Sequence, residues 1–242
     1  MTNRDATTRG TRAWGLHERT HLGLMLALTF STGVVDAVGY LGLDRVFTGN
    51  MTGNVVILGM ALLGSDNLPI IGPVIALVCF MVGAAAGGRI LRPVPAGWTR
   101  LSTSIFAGVG VVLAAAAIAL FVAGAHPVQS LQWTVTGMLG LAMGAQAATA
   151  RHIAVKDVTT VVVTSTLAGL AADSVFGGGK RQPWARRAGA VVLIGLGALT
   201  GAAALHVHPA LGLLVSGAIV LVVAVWGQIV TGGPVPEVPA EA

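Results

Sequence analysis

Charge is the scarcest property of this chain. Of its 242 residues only 10% are Asp, Glu, Lys or Arg, where a soluble domain carries roughly 25%. That shortage excludes an ordinary water-facing surface. Aromatic residues are also few, at 5%, which argues against a stacking surface for nucleic acid. The net charge of +5 sits in loops and the N-terminal stretch. That distribution reads as membrane orientation and not as a nucleic-acid footprint. The one cysteine, Cys79, lies inside an apolar run. It excludes an intrachain disulfide and a cysteine metal cluster, and reads as a small buried core residue. HExxH, GxSxG and Walker A signatures are missing, and no cysteine nucleophile stands in a polar setting. Nothing here supports an enzyme, a metal or a cofactor.

What is present is apolar and rich in glycine. The chain is 55% hydrophobic with 34 glycines, and its mean hydropathy is +0.83. Together these indicate a polytopic, all-α membrane bundle in which small residues let helices approach closely. Apolar segments fall near 22–43, 50–64, 69–91, 102–124, 131–150, 158–173, 187–206 and 209–230. Most approach the ~20 residues that a helix needs to cross ~30 Å of hydrocarbon. The first is too long for the apolar region of a signal peptide and reads as a membrane span. Segments 50–64 and 158–173 are short, and short apolar runs suit re-entrant or half-helices.

The short segments occupy matching places in two halves, each ordered long, short, long, long. Val46-Phe47-Thr48-Gly49-Asn50-Met51-Thr52-Gly53-Asn54 lines up with Val158-Thr159-Thr160-Val161-Val162-Val163-Thr164-Ser165-Thr166. Thr48 falls on Thr160 and Thr52 on Thr164. Upstream, Gly33-Val34-Val35-Asp36-Ala37 resembles Gly144-Ala145-Gln146-Ala147 after a gap of one or two residues, with Gln146 read as the counterpart of Asp36. Paired short segments in two halves point to a transporter-type binding site.

Loop charges favour re-entry over crossing. With about six spans, the N-terminal stretch, Arg92 and Arg100, Arg151 and Lys156, and the loop with Lys180, Arg181, Arg186 and Arg187 all fall inside. Asp44, Arg45, Asp66, His126, His206 and His208 are left outside. Eight spans would split the basic regions between the two sides, against the positive-inside rule. The expectation is therefore about six spanning helices plus two short re-entrant or half-helices in a 3+3 inverted repeat. Residues 1–21 form a cytoplasmic basic tail, 22–124 the first repeat, 125–230 the second, and 231–242 an acidic C-terminal tail, with both termini cytoplasmic.

Two groups of residues carry candidate chemistry. Thr48, Asn50, Thr52 and Asn54 place hydroxyls and amides around the start of a short helix. Asn and Thr cap helices well. A deep helix N-terminus also carries partial positive charge that suits an anion or polar solute. The bland alternative is that they only cap and pack. Asp36 is an acid well inside the first span. A carboxylate there must face a cavity, find a partner or hold a proton. It reads either as a proton or cation site or as a hydrogen-bonded packing group. Gly33, Asp36 and Tyr40 share one helical face. The expected solute site joins Asp36, Thr48, Asn50, Thr52, Asn54, Gln146, Thr160 and Thr164, where the two short helices approach each other. Gly83/Gly87, Gly140/Gly144 and Gly197/Gly201 read as helix-packing faces, with a homo-oligomer contact as the alternative. His206 and His208 precede Pro209 and suit a turn.

With those residues in view, the chain resembles the YoaK-like family of bacterial multi-pass membrane proteins, whose domain is of unknown function. The likeness rests on Gly33 to Ala37 with Val46 to Asn54, and on Gly144 to Ala147 with Thr159 to Thr166. It spans roughly residues 22–230. It implies a bacterial inner-membrane protein and supplies no activity. The functional expectation is a small secondary transporter or channel for a small polar or anionic solute, with proton coupling through Asp36. The alternative is a non-transporting scaffold or assembly factor.

Overall fold

The computed structural model describes residues 3–64, 67–124, 127–153, 163–174, 177–179 and 184–231. These residues form helices and connections, with no strand among them. The helices are α1 (Asn3–Gly42), α2 (Met51–Ala61), α3 (Ile71–Leu91), α4 (Arg100–Ala123), α5 (Gln129–Ile153), α6 (Val163–Ala172), α7 (Trp184–Leu205) and α8 (Pro209–Thr231). All eight apolar segments of the sequence thus appear as helices. The basic stretch read as a tail is helical from Asn3 onward and continues directly into the apolar part of α1.

Among the described residues, five helices are long and apolar enough to cross a membrane: Arg19–Gly42, Ile71–Leu91, Arg100–Ala123, Trp184–Leu205 and Pro209–Val230. α5 has the length, with 25 residues, but Gln132, Thr134, Thr136, Gln146 and Thr149 dilute its hydropathy. α2 and α6 have 11 and 10 residues. At ~1.5 Å per residue they reach only about half of a ~30 Å hydrocarbon layer.

Local chemistry sets several helix ends. Thr99 caps α4 by accepting from the Ser102 amide at 3.1 Å. Gly124, at φ 77°, closes the same helix in a backbone conformation that side chains resist. Pro209 occupies the first position of α8, where its missing N–H costs nothing. His208 Nδ1 accepts from the Ala210 amide at 3.1 Å. The His206–His208 stretch is thus a turn, as its spacing before Pro209 suggests.

The core lies between α1, α4, α5 and α8. Met25, Leu28 and Val38 of α1 meet Phe106, Leu113 and Leu120 of α4, Val135 and Leu139 of α5, and Leu213 and Val220 of α8, all fully buried. α3 packs along α5, α7 along α1, and α4 along α8. Glycine makes the first two contacts close. A methyl added at Gly144 would run into the backbone of Phe80 and Ala84, and one at Gly83 into the Leu141 carbonyl. Gly197 and Gly201 sit in the same way on Phe30 and Val34, and Gly33 on Ile194. Only a residue without Cβ lets the backbones come so near. The glycine faces left open by the sequence to a second copy are therefore occupied within the chain. Outward from this frame, Val74, Val78, Met81 and Val82 of α3 and Val192, Leu196 and Leu199 of α7 are exposed. Such apolar faces are what lipid contact requires.

Candidate functional site

The site begins where α1 ends. Residues after Gly42 reverse direction at Arg45, whose φ is 48°. The chain then runs back along α1. The Val46 amide donates to the Gly39 carbonyl at 3.4 Å, and Phe47 stacks on Tyr40 with ring centroids 4.8 Å apart. Gly39 is needed for this approach, because a Cβ there would lie 2.5 Å from the Val46 carbonyl oxygen and 3.2 Å from Thr48 Cγ2.

This return brings residues 48–49 to Asp36. Asp36 Oδ1 accepts from the Thr48 amide at 2.8 Å, the Gly49 amide at 2.7 Å and the Thr48 hydroxyl at 3.3 Å. Asp36 is 9% exposed and Thr48 fully buried. No Lys, Arg or His pairs with Asp36 among the described residues; the ion pair found there joins Arg187 and Asp173. The partner of the carboxylate is thus the backbone entering α2. Hydrogen bonds to a charged group contribute about 1.5–3 kcal/mol each. The partial positive charge at the helix N-terminus adds to them.

The rest of the string locks itself. Asn50 Oδ1 accepts from the Gly53 amide at 3.2 Å, which makes Asn50 the N-cap of α2. Asn54 grips Phe47 at both backbone groups: its Oδ1 accepts from the Phe47 amide at 2.9 Å, and its Nδ2 donates to the Phe47 carbonyl at 2.6 Å. Asn54 is fully buried. Gly53 packs under the Phe47 ring, with no room for a Cβ. The two Thr-Gly-Asn triplets therefore do different work. Thr48 and Gly49 serve Asp36; Asn50, Gly53 and Asn54 fold the loop and start the helix; Thr52 is exposed.

The second half contributes one residue to this centre. Gln146 of α5, 1% exposed, donates from Nε2 to Thr32 Oγ1 at 3.2 Å. Thr32 lies one helical turn before Asp36 and donates to the Leu28 carbonyl at 2.9 Å. A Cβ added at Gly49 would lie 2.8 Å from Thr32 Cγ2 and 3.5 Å from either oxygen of Asp36. Gln146, Thr32, Asp36, Gly49 and Thr48 thus form one buried polar file between α5, α1 and the start of α2. It is made of two hydrogen-bonded groups, Gln146 with Thr32 and Asp36 with Thr48 and Gly49, that meet where the Thr32 methyl faces Gly49.

Several expected members are elsewhere. Thr164 is exposed on α6, and Thr160 lies outside the described residues. The two short helices do not meet: α2 packs along α3, and α6 along α7. Each short helix leans on the helix that follows it, which keeps the two apart. Asn50 is exposed and acts through its cap. Gly33 faces α7 and is not part of the site. Thr32 was missed by sequence reasoning. Its signal was its spacing of four from Asp36, which puts both on one face of α1.

The family model described as "Protein of unknown function (DUF1275)" matches residues 24–226. The chain belongs to this family. It is also 30% identical over 151 residues to the UPF0700 transmembrane protein YoaK of Bacillus subtilis (strain 168). That match takes in 62% of this chain and 65% of the relative, so it spans somewhat less than two thirds of the relative's length. No solved structure matches. The transmembrane relative and the apolar helices make this DUF1275 member an integral, multi-pass membrane protein. The string from Phe47 to Asn54 and the whole polar file lie within the matched region.

Proposed function

We propose that this protein is a small secondary transporter or channel that moves a small polar solute past the buried file around Asp36. One observation carries the reading. An acid inside a membrane span is held by the N-terminus of a helix too short to cross, with no cationic side chain paired with it among the described residues. Ionisable groups inside spans are costly and mark ion or solute paths. Broken helices that offer their ends to such groups are the usual construction of transporter sites.

The packing supports a 3+3 inverted repeat. Exchanging the halves turns the α1–α7 contact into α5–α3, the α1–α8 contact into α5–α4, and α2–α3 into α6–α7. The glycines follow the same exchange: Gly33 and Gly144, Gly83 and Gly197, and Gly87 and Gly201 each face backbone or small side chains at matching places. If α2 and α6 re-enter, each half crosses three times and the halves insert in opposite directions. Alternating access would then rock one repeat against the other. Asp36 would carry the proton in a coupled cycle. The same register sets Ala147, not Gln146, at the place of Asp36, so the carboxylate belongs to the first half alone. Loop charges support both termini being cytoplasmic, and the family resemblance implies the inner membrane. The scaffold alternative would meet partners through the glycine faces and the basic loop 180–187, and the glycine faces are used within the chain.

Uptake into proteoliposomes tests the function. Asp36→Asn and Asn54→Ala should each lower transport of a responsive solute at least about tenfold; rates equal to wild type across candidate solutes would sink the site. Topology is tested separately in a Cys79→Ala background. Cysteines at Arg45 and Leu63 flank α2 and should label from the same side of the membrane. Labelling from opposite sides would refute re-entry.

A further inference from the structure

We infer that the buried file is a site for a small cation that donates hydrogen bonds, of the ammonium or primary-amine class, and not for an anion. The inference deepens the transport reading and rests on it for the route by which a solute arrives.

The argument is an inventory of donors and acceptors. The donors that reach Asp36 from the loop entering α2 are spent on it: the Thr48 amide, the Thr48 hydroxyl and the Gly49 amide all point at Oδ1. The anion that a helix N-terminus attracts is thus already supplied by the chain itself. A free anion would have to displace Asp36 or sit beside it. Thr32 donates its single hydroxyl hydrogen to the Leu28 carbonyl. Gln146 donates to Thr32. Each of these donor atoms has an acceptor. One buried acceptor has none: Gln146 Oε1 is without a hydrogen-bond partner.

In the orientation found, Gln146 turns Nε2 to Thr32 and leaves its carbonyl as the open end. An unpartnered acceptor in a side chain 1% exposed is costly by itself and calls for a donor. Charge points the same way. A helix N-terminus supplies roughly half a positive charge, which leaves an ionised Asp36 partly uncompensated. A hard metal cation typically wants about six or more oxygens. An N–H donor needs an open acceptor and gains from a nearby carboxylate, and the file offers Gln146 Oε1 and Asp36.

The test uses ammonium against potassium, which is of similar size and donates no hydrogen bonds. Thermal unfolding of the purified protein in detergent is followed with ammonium chloride, potassium chloride and potassium formate at equal ionic strength. Ammonium should bind at least about tenfold more tightly than potassium, from the loss or gain of one hydrogen bond to an ion. Formate should give no more stabilisation than chloride. Gln146→Leu should bring ammonium to within about twofold of potassium, while Gln146→Glu, which keeps an acceptor, retains the preference. Equal effects of ammonium and potassium on wild type overturn the inference, as does stabilisation by formate alone. An undiminished preference in Gln146→Leu overturns it too. Should that variant not fold, loss of preference in a folded Gln146→Glu overturns it and retention supports it. Methylammonium uptake into proteoliposomes separates the two claims. Binding without uptake removes the transport reading and keeps the site. Uptake indifferent to Gln146→Leu does the reverse.

Discussion

The two short helices began as matching segments and are held in different ways. α2 is fastened at its N-terminus, through Asp36, the Asn50 cap and the Asn54 grip on Phe47. It buries Asn54, Ile57 and Ala61. α6 buries none of its residues fully. What holds its far end is a partly exposed ion pair, Arg187 to Asp173 at 3.0 Å. The Arg187 guanidinium lies against Gly169 of α6, where a Cβ would be 2.8 Å from it. One helix is therefore tied at its start by buried hydrogen bonds, while a charge pair open to screening fastens the end of the other. On the proposed repeat the halves differ in sequence at two matching places: Ala147 stands where the first half has Asp36, and Ser165 where it has Gly53.

The sharpest way to break the comparison is Asp36→Ala. It leaves the Thr48 and Gly49 amides buried without an acceptor, at about 1–3 kcal/mol for each. A drop in thermal stability of several degrees in detergent is expected, together with rapid hydrogen exchange confined to residues 46–54. Asn54→Ala comes next. It strands both backbone groups of Phe47, and a loss of about 1–3 kcal/mol in the unfolding midpoint is the expected reading. Arg187→Ala should cost about 1 kcal/mol or less, since the pair it breaks is partly exposed. Its signature is faster exchange in α6 with α2 unchanged, and high salt should imitate it in wild type. Thr52→Ala should change neither stability nor exchange, because its side chain is exposed. A large effect there would put the second triplet back into the site.

Much of this architecture was legible in the residues. Helix number, the two short segments and the packing role of Gly83, Gly144 and Gly197 follow from run length and small-residue spacing, which act locally. Asp36 stood out because an acid inside an apolar run has few ways to be stable. The functions within Phe47–Asn54 were less legible. Thr48 and Thr52 look alike in sequence, yet one is buried on Asp36 and the other is exposed. The α2 helical turn separates them, and periodicity cannot say which face meets α1. Gln146 was read as the counterpart of Asp36, and what it bonds, Thr32 of α1, was not legible from the order of polar residues.

The sequence by itself determined a helical, multi-pass membrane chain with two short polar-entry helices, because hydropathy and segment length are set residue by residue. Only the tertiary structure decided that the α2 N-terminus is filled by the chain's own carboxylate and that the open atom beside it is an acceptor. Those outcomes depend on Gly39, Gly49 and the α1–α5 contact. They bring groups 12 to 114 residues apart into hydrogen-bond range, and no local pattern encodes that distance.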